Sequence, residues 1–537
     1  MYFLARPEPY MEVPPETSLR HAQRSEMARW RENEKTALDL LQVAGELRFD
    51  RGIDLTLFRR PIYDTRPSEV LRAHERAADY SKRVVDIDLT LSIAYAVAQL
   101  DGLPACKIDL GRLATEWLAR SDHFDNIDAF VGHALAGLTA AGRAAHHASG
   151  YADATAAANG VALARRGSAA DPAGDDIGGG EEGRDVVLYG FGRIGRMLAR
   201  LLVEQTGRGS QLCLRAIVLR AKLDDRHLEL TKRLALLRHD STHGPFPGLT
   251  RVAPDGSALY LNGNHVAVIF ADHPGEIDYA DYGIHDALLI DNTGAWRDRA
   301  GLEQHLRPGI RSVLLTAPAE EVPNVVVGIN HDNYDWNHVR LASAASCTTN
   351  AVAPIMRLLD DKLGVERAHI ETIHAYTSDQ NLLDNFHRKP RRGRGAPLNM
   401  VITSTGAASA VARVIPALEG KLTGNAVRVP VPSGSLAIVN ASVARPTNRE
   451  ALNEIVRQAA LRGPLVEQIL YSSSEEFVSS TVVGSTSTSV FDAPSTRVSA
   501  DGTGVTVYAW YDNEYGYACQ VMRLAKILAG VHRQRYI

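Results

Sequence analysis

Cysteine is scarce in this chain: there are four in 537 residues, Cys106, Cys213, Cys347 and Cys519, all far apart. Such spacing builds neither a zinc cluster nor a disulfide framework, and it suits a reducing compartment. Charge of one sign is also missing. With 59 Lys and Arg against 63 Asp and Glu, the formal net charge is -4, which argues against a nucleic-acid or membrane-surface protein as a whole. No apolar run approaches the roughly 18 residues of a membrane span. The start, "MYFLARPEPYMEVPPE", has no basic segment followed by an apolar block, so no secretory signal is evident and a cytoplasmic location is expected. The histidines show no ligand spacing, and no metal is called for.

What remains is a chain too long for one core, with three textures. Residues 1–135 carry apolar residues at three- and four-residue spacing, as in "SLRHAQRSEMARWRENEKTALDLLQVAGELRF", and predict a mostly helical extension. Residues 136–184 are rich in Ala, Gly, Ser and Asp and read as a linker. From Asp185 onward, short apolar runs alternate with helical segments: "DVVLYGFGRIGRMLARLLVEQ", "LCLRAIVLR", "HVAVIF", "DALLIDNTG", "RSVLLTAP". That alternation predicts a parallel sheet wrapped by helices, a Rossmann-type domain over 185–346. Past Cys347 the strands lengthen and alternate, predicting an α+β domain over 347–515 whose mixed or antiparallel sheet is covered on one face. A final helix, 516–537, is expected to pack back on the first sheet.

The run "GFGRIG" places Gly190, Gly192 and Gly195 between a strand and a helix. The first permits the tight turn, the second a close approach to a pyrophosphate, the third close helix packing, so a dinucleotide site is expected. A glycine turn serving packing alone is the alternative. The acid that would take an adenosine ribose 2′-hydroxyl is missing, because Leu219 and Arg220 end the second strand. Either Arg220 attracts a 2′-phosphate, favouring NADP over NAD, or it is a solvated loop arginine.

"SAASCTTNAVAP" sets Cys347 at a strand-to-helix junction, with Thr348 or Thr349 as the expected helix cap. Backbone N–H groups at such a terminus favour a thiolate. His374 in "HIETIHAYT" is a candidate base, 27 residues on. Each residue alone reads as easily as a core residue.

Taken together, "YGFGRIGR", "RHDSTHGPF", "DNTGAW", "SAASCTTN", "HAYTSDQ", "TSTGAA", "KLTGNAVRVP" and "WYDNEYGY" make the region from 185 onward resemble phosphorylating glyceraldehyde-3-phosphate dehydrogenase, in a long bacterial form. The resemblance implies Cys347 as nucleophile and His374 as its base. It implies Ser346, Thr348, Thr405 and Gly406 for the attacking phosphate, and Thr377 and Arg428 for the substrate's own phosphate. Arg391 is the implied phosphate contact of the basic segment Asn385–Pro397, with Arg392 as neighbour and alternative. Arg193, Ile194, Thr293, Gly294, Thr316 and Asn513 are implied cofactor contacts, Asn513 through the nicotinamide carboxamide. The activity implied is reversible oxidation of D-glyceraldehyde 3-phosphate, with inorganic phosphate and NADP or NAD, by a homotetramer. Erythrose 4-phosphate oxidation and a non-catalytic regulatory protein are the alternatives. Ala344 stands where the family commonly carries Asn. The helical extension lies outside the common pattern and reads as a packing or oligomerisation module, or a regulatory one.

Overall fold

A computed structural model describes residues 16–63, 65–75, 77, 84–139, 184–205, 212–531 and 534–536. The expected linker therefore falls almost wholly outside the described residues. The chain divides into two units, residues 1–149 with 534–537, and residues 150–533.

In the first unit, helices Glu16–Arg51, Pro67–Glu75, Ile87–Gln99, Leu110–Arg120 and Ile127–Ala134 dominate, as the spacing predicts. The periodicity does not foretell a small sheet, ordered Arg60–Pro61, Asp54–Leu57, Cys106–Asp109, Gln534–Tyr536. Its hairpin turns on Phe58 and Arg59, both left-handed at φ 45° and 68°. Two-residue hairpins need such angles, normally supplied by Asn-Gly. Here buried Asp109 offsets the strain: its carboxylate accepts from Phe58 N (3.1 Å), Arg59 N and Thr56 Oγ1 (3.0 Å). It also caps helix Leu110–Arg120 through Arg112 N (3.0 Å).

The second unit holds the expected parallel sheet. Its order is Leu341–Ser343, Gly309–Leu315, Asp286–Asp291, Arg184–Tyr189, Leu212–Leu219, Asn264–Phe270, then an antiparallel edge, Ala258–Leu261 and Thr250–Val252. Strand Arg184–Tyr189 is buried on both faces from Val186 on, which is why it reads as a continuous apolar run. Chain order reverses beside it, and in such sheets ligands settle outside the strands' carboxyl ends at the reversal. Helix Arg193–Gln205 packs Met197, Leu198, Leu201 and Leu202 onto this sheet, joined by Tyr517, Val521, Met522 and Leu524 from helix Tyr515–Leu528. That last helix stops at Leu528, earlier than expected: Gly530 is left-handed (φ 68°) and its N–H caps Ile527 O at 3.0 Å. Residues Gln534–Tyr536 are then a strand of the first unit's sheet, parallel to Cys106–Ile108.

The other sheet is mixed: Val401–Thr403, Leu422–Val429, Val365–Ala375, Ser435–Val443, Gly504–Tyr511, Ser489–Asp492, Ile469–Ser472, with Arg497–Val498 beside Gly504–Tyr511. Strands Ser435–Val443 and Gly504–Tyr511 alternate buried with more open residues, so one face is covered. The cover includes helix Cys347–Leu363, whose Val352, Ile355, Met356 and Leu359 enter the core. Burying side chains of this size contributes about 1.5–3 kcal/mol each.

Asp109→Ala should destabilise the first unit by about 3 kcal/mol, because several buried donors lose their acceptor together. Hydrogen exchange at residues 54–61 should accelerate, and unchanged protection there would sink this account of the turn.

Candidate active site

The sharp turn before Cys347 is built from side chains. Ala345 is left-handed at φ 54°, a costly conformation for a residue with a Cβ. Three successive carbonyls are held in place around it. Asn350 Nδ2 donates to Ala344 O (2.8 Å) and Ser346 O (2.9 Å), and Tyr517 OH donates to Ala345 O (2.8 Å). The helix starts at Cys347 itself, so its cap is Ser346, accepting from Thr349 N at 3.0 Å, and neither Thr348 nor Thr349. Thr349 is instead a partner of the cap hydroxyl (2.7 Å).

Cys347 Sγ then lies 3.6 Å from His374 Nε2. The opposite ring nitrogen, Nδ1, is 2.7 Å from Ala375 O, which can only accept. The proton therefore sits on Nδ1, and Nε2 turns a lone pair towards the thiol. Burial pushes the Cys347 thiol up, opposing the thiolate that the helix terminus favours, while Arg428 pulls it back. Burial pushes His374 down to about 3, and Arg428 adds to that fall. Each group taken alone is held neutral. Proton transfer from Sγ to Nε2 creates two opposite charges side by side, which offsets part of that cost.

Arg428 is the register partner of His374 on the neighbouring parallel strand. Its Nη1 donates to Ala375 O (3.0 Å) and Thr377 Oγ1 (2.9 Å), and its buried Nε has no partner. Thr377 donates to Asp379, which also pairs with Arg392. Arg392 Nε reaches Thr403 Oγ1 at 3.1 Å. Arg391, the arginine expected at a phosphate, is exposed and directed at Ile402 O (3.4 Å). The polar cluster beside Cys347 thus holds Arg428, Thr377, Asp379 and Arg392. Asp379 escapes a reading by spacing, because a loop sets its direction, whereas Arg392 is the alternative that the sequence leaves open beside Arg391.

Thr348 is buried and shares its hydroxyl with Tyr511 OH (3.1 Å), which also meets Thr372 Oγ1 at 2.6 Å. Thr405 Oγ1 accepts from Ala407 N (3.1 Å), and Gly406 precedes helix Ala407–Val414. No hydrogen bond ties either of these to Cys347, His374 or Arg428 among the described residues.

The glycine turn can be tested position by position. Gly190 has φ 99°, and a Cβ there would meet Thr293 Cγ2 at 2.9 Å. At Gly195 a Cβ would strike Asn292 Oδ1 and Gly190 O, both at 2.5 Å. At Gly192 it would meet nothing within 4 Å, so the backbone there is open to a ligand. This is a cradle that fits a dinucleotide pyrophosphate. Ile194 packs partly buried against the core, while the Arg193 guanidinium turns to Asp240 (3.1 Å), Glu514 (2.5 Å) and His243 (3.3 Å). Thr293 N and Oγ1 both donate to Asp291 Oδ1, at 2.8 and 2.7 Å. Gly294 is left-handed, and Thr316 N donates to Asp291 O at 2.9 Å, so all three follow carboxyl ends of adjacent strands. Arg220, exposed at the end of its strand, pairs with Asp272 at 3.2 Å. Asn513 is buried, and its Oδ1 accepts from Ser435 Oγ (3.0 Å), which itself accepts from Ala375 N (3.0 Å). Ser435 therefore links the His374 strand to Asn513, a role that no motif announces.

Residues 184–299 match the model of the glyceraldehyde 3-phosphate dehydrogenase NAD binding domain, and residues 346–513 that of its C-terminal domain. A glyceraldehyde-3-phosphate dehydrogenase-like protein of Pseudomonas aeruginosa (strain UCBPP-PA14) is 42% identical over 499 residues, covering 92% of this chain and 99% of the relative. The chain belongs to the glyceraldehyde-3-phosphate dehydrogenase family. The glyceraldehyde-3-phosphate dehydrogenase of Kitasatospora aureofaciens is 38% identical over 345 residues, 64% of this chain and 98% of its own. Glyceraldehyde-3-phosphate dehydrogenase 1 of Bacillus subtilis (strain 168) is 38% identical over 346 residues, again 64% and 98%. Only the Pseudomonas alignment, of these three, is long enough to reach well into the N-terminal unit. Among the described residues, no helix of this family member is long and apolar enough to cross a membrane.

His374→Asn removes the lone pair facing Sγ and should slow alkylation of Cys347 by iodoacetamide about 10²-fold. The unfolding transition should move little, and an unchanged alkylation rate would remove His374 from the base role.

Proposed function

We propose that this dehydrogenase catalyses the reversible phosphorylating oxidation of D-glyceraldehyde 3-phosphate to 1,3-bisphosphoglycerate. The observation that carries the reading is the 3.6 Å approach of Cys347 Sγ to His374 Nε2, beside Arg428 with its unpartnered buried Nε. Cys347 Sγ bonds to the aldehyde carbon and the C=O π pair moves to oxygen while the thiol proton passes to Nε2. This gives the oxyanion of a hemithioacetal, whose collapse back to C=O expels the aldehyde hydrogen as hydride. The bound dinucleotide supplies the hydride acceptor of the reaction. Cys347 then carries the acyl group as a thioester. Inorganic phosphate attacks that carbonyl carbon, the C–S bond breaks, and the acyl phosphate leaves. The Cys347 backbone N–H and protonated His374 steady the developing oxyanion.

The Arg428–Thr377 pair suits the substrate's phosphate, and Arg392, rather than Arg391, is the arginine the loop brings to it. Ser346 and Thr348, flanking the nucleophile, with Thr405 and Gly406, are assigned to the attacking phosphate. Gly192 and the backbone of Arg193 and Ile194 face the pyrophosphate, and Gly190 and Gly195 allow the tight turn and close packing that hold them there. Thr293, Gly294 and Thr316 border the cofactor crevice, and the Asn513 amide receives the nicotinamide carboxamide.

NADP is the proposed cofactor, with synthesis of the aldehyde as the physiological direction. Arg220 stands where a carboxylate would repel a 2′-phosphate, and its pair with Asp272 is exposed on both sides, at 65% and 76%. Such pairs contribute little, so a dianion can displace Asp272. A homotetramer in the cytoplasm is part of the same reading. Assembly is supported by exposed Leu382, Leu383, Phe386, Leu398 and Met400, apolar surface that it would cover.

Initial rates with NADP and NAD, with and without phosphate, test the proposal. Rates should depend on phosphate and favour NADP; a phosphate-independent rate would point instead to an erythrose-4-phosphate type of oxidation, in which water resolves the thioester. Arg220→Ala should raise KM for NADP about tenfold and leave KM for NAD within about twofold. A native preference for NAD would overturn the cofactor assignment.

A further inference from the structure

Two ends of one dinucleotide have to be received at two places, the glycine turn and Asn513, and these lie on different sheets of the second unit. Between them runs a network of charged side chains that the proposed chemistry does not use. Arg193, the first residue of the helix after the glycine turn, holds Asp240 through Nη1 (3.1 Å) and Nη2 (3.4 Å) and Glu514 through Nε (2.5 Å). Arg193 Nη2 also approaches His243 Nδ1 at 3.3 Å. From the other side of the ring, His243 Nε2 lies 2.9 Å from Asp512 Oδ2. Asp512 is the residue before Asn513. Its Oδ2 also accepts from Gly484 N (2.8 Å), and its Oδ1 from Glu514 N and Tyr515 N, both at 2.9 Å. The carboxylate thus holds the backbone that follows Asn513 and ties it to the loop at Gly484, and it is almost wholly buried.

A guanidinium can only donate, so a neutral His243 accepts from Arg193 at Nδ1 and carries its proton on Nε2. A protonated His243 donates from both nitrogens, with Asp240 Oδ1 (3.5 Å) and Glu514 Oε2 (3.8 Å) near Nδ1. The bond from Nε2–H to Asp512 is common to both states. The ring therefore keeps its bond to Asp512 in either state, and reaches the other end by accepting from Arg193 when neutral or by ion pairing with Asp240 and Glu514 when protonated.

We propose that His243 is a positioning residue for the dinucleotide: through Asp512 on one side and the Arg193–Asp240–Glu514 group on the other, it sets the separation between the glycine turn and the Asn513 amide. The inference rests on the reading that Asn513 receives the nicotinamide carboxamide. His243 touches no part of the cofactor; it acts through Asp512. Losing it releases the nicotinamide end and leaves the pyrophosphate end as it was.

The experiment compares binding of NADP and NAD with that of ADP-ribose and 2′-phospho-ADP-ribose, which lack the nicotinamide, in the full-length protein. His243→Gln can keep a donor near the Nε2 position, whereas His243→Asn places its donor nearer Nδ1, and both remain polar. The Asn variant should bind NADP and NAD about tenfold more weakly, bind the two truncated ligands within about twofold of wild type, and raise KM for the dinucleotide more than it lowers kcat. The Gln variant should recover most of the loss. Equal weakening of full and truncated ligands would mean a merely structural role and overturn the proposal, as would unchanged NADP and NAD binding. Asn513→Ala is the reference. If it leaves discrimination between full and truncated ligands untouched, the assignment of Asn513 fails. If it abolishes that discrimination while His243→Asn does not, the positioning role alone fails.

Discussion

The catalytic half depends on one pairing, the parallel register that sets His374 opposite Arg428. Strand Val365–Ala375 ends by presenting His374, and strand Leu422–Val429 presents Arg428 one step before its own end. Because side chains alternate along a strand, a slip of one residue would turn one of the two groups to the opposite face from the other. Ala375 O receives both the His374 Nδ1 proton and Arg428 Nη1, so one carbonyl fixes the tautomer of the base and the reach of the cation. The cysteine is brought to this pair by a helix whose first residue it is, and that helix is held by the core it shares with the sheet. Strain at Ala345 is the cost of that delivery, and the bonds from Asn350 and Tyr517 offset it.

Electrostatics within the site follow from the same packing. Burial disfavours a lone thiolate and a lone imidazolium alike. It favours whatever arrangement keeps opposite charges adjacent, and it strengthens the interaction between them. The polar loop beside the pair is arranged differently. Asp379 is shared between Thr377 and Arg392, so Arg392 already has an anionic partner, whereas Arg428 meets only the neutral Ala375 O and Thr377 Oγ1 and keeps its Nε unpartnered.

Much of this was legible in the sequence for a specific reason: the residues concerned act through local geometry. The glycine turn lies between a strand and a helix that hydrophobic patterning marks plainly, and the open space at Gly192 against the crowding at Gly195 is the division of labour that the spacing implies. The strand-to-helix junction at Cys347 was legible in the same way, although its cap was not. Ser346 was hidden because the helix begins at the cysteine, one residue earlier than its threonines suggest. Where partners are remote in sequence, no local pattern names them, even when the residue itself lies in a quoted motif, as His243 and Tyr511 do. Ser435, Tyr511 and His243 act across separations of 60 to 269 residues. Arg391 and Arg392 could not be separated because a one-residue difference in a loop reverses direction, and only the bond to Asp379 distinguishes them.

The small sheet of the N-terminal unit was illegible for a related reason. Its strands are two to four residues long, too short for an alternating pattern, and one of them comes from the far end of the chain. A three-residue strand contributes few hydrogen bonds, and such a pairing between separate molecules would be marginal. Covalent continuity changes the balance. Gln534–Tyr536 follows helix Tyr515–Leu528 after only a short connection, so the tail cannot diffuse away and its pairing with Cys106–Ile108 is an intramolecular event. That pairing also covers the edge of strand Cys106–Asp109, whose unpaired N–H and C=O groups would otherwise invite a foreign strand. The order of the sheet then has a consequence for how the chain is built. The strands of the first unit up to Asp109 are synthesised before the second unit, but their sheet gains Gln534–Tyr536 only after residues 150–533 have been made.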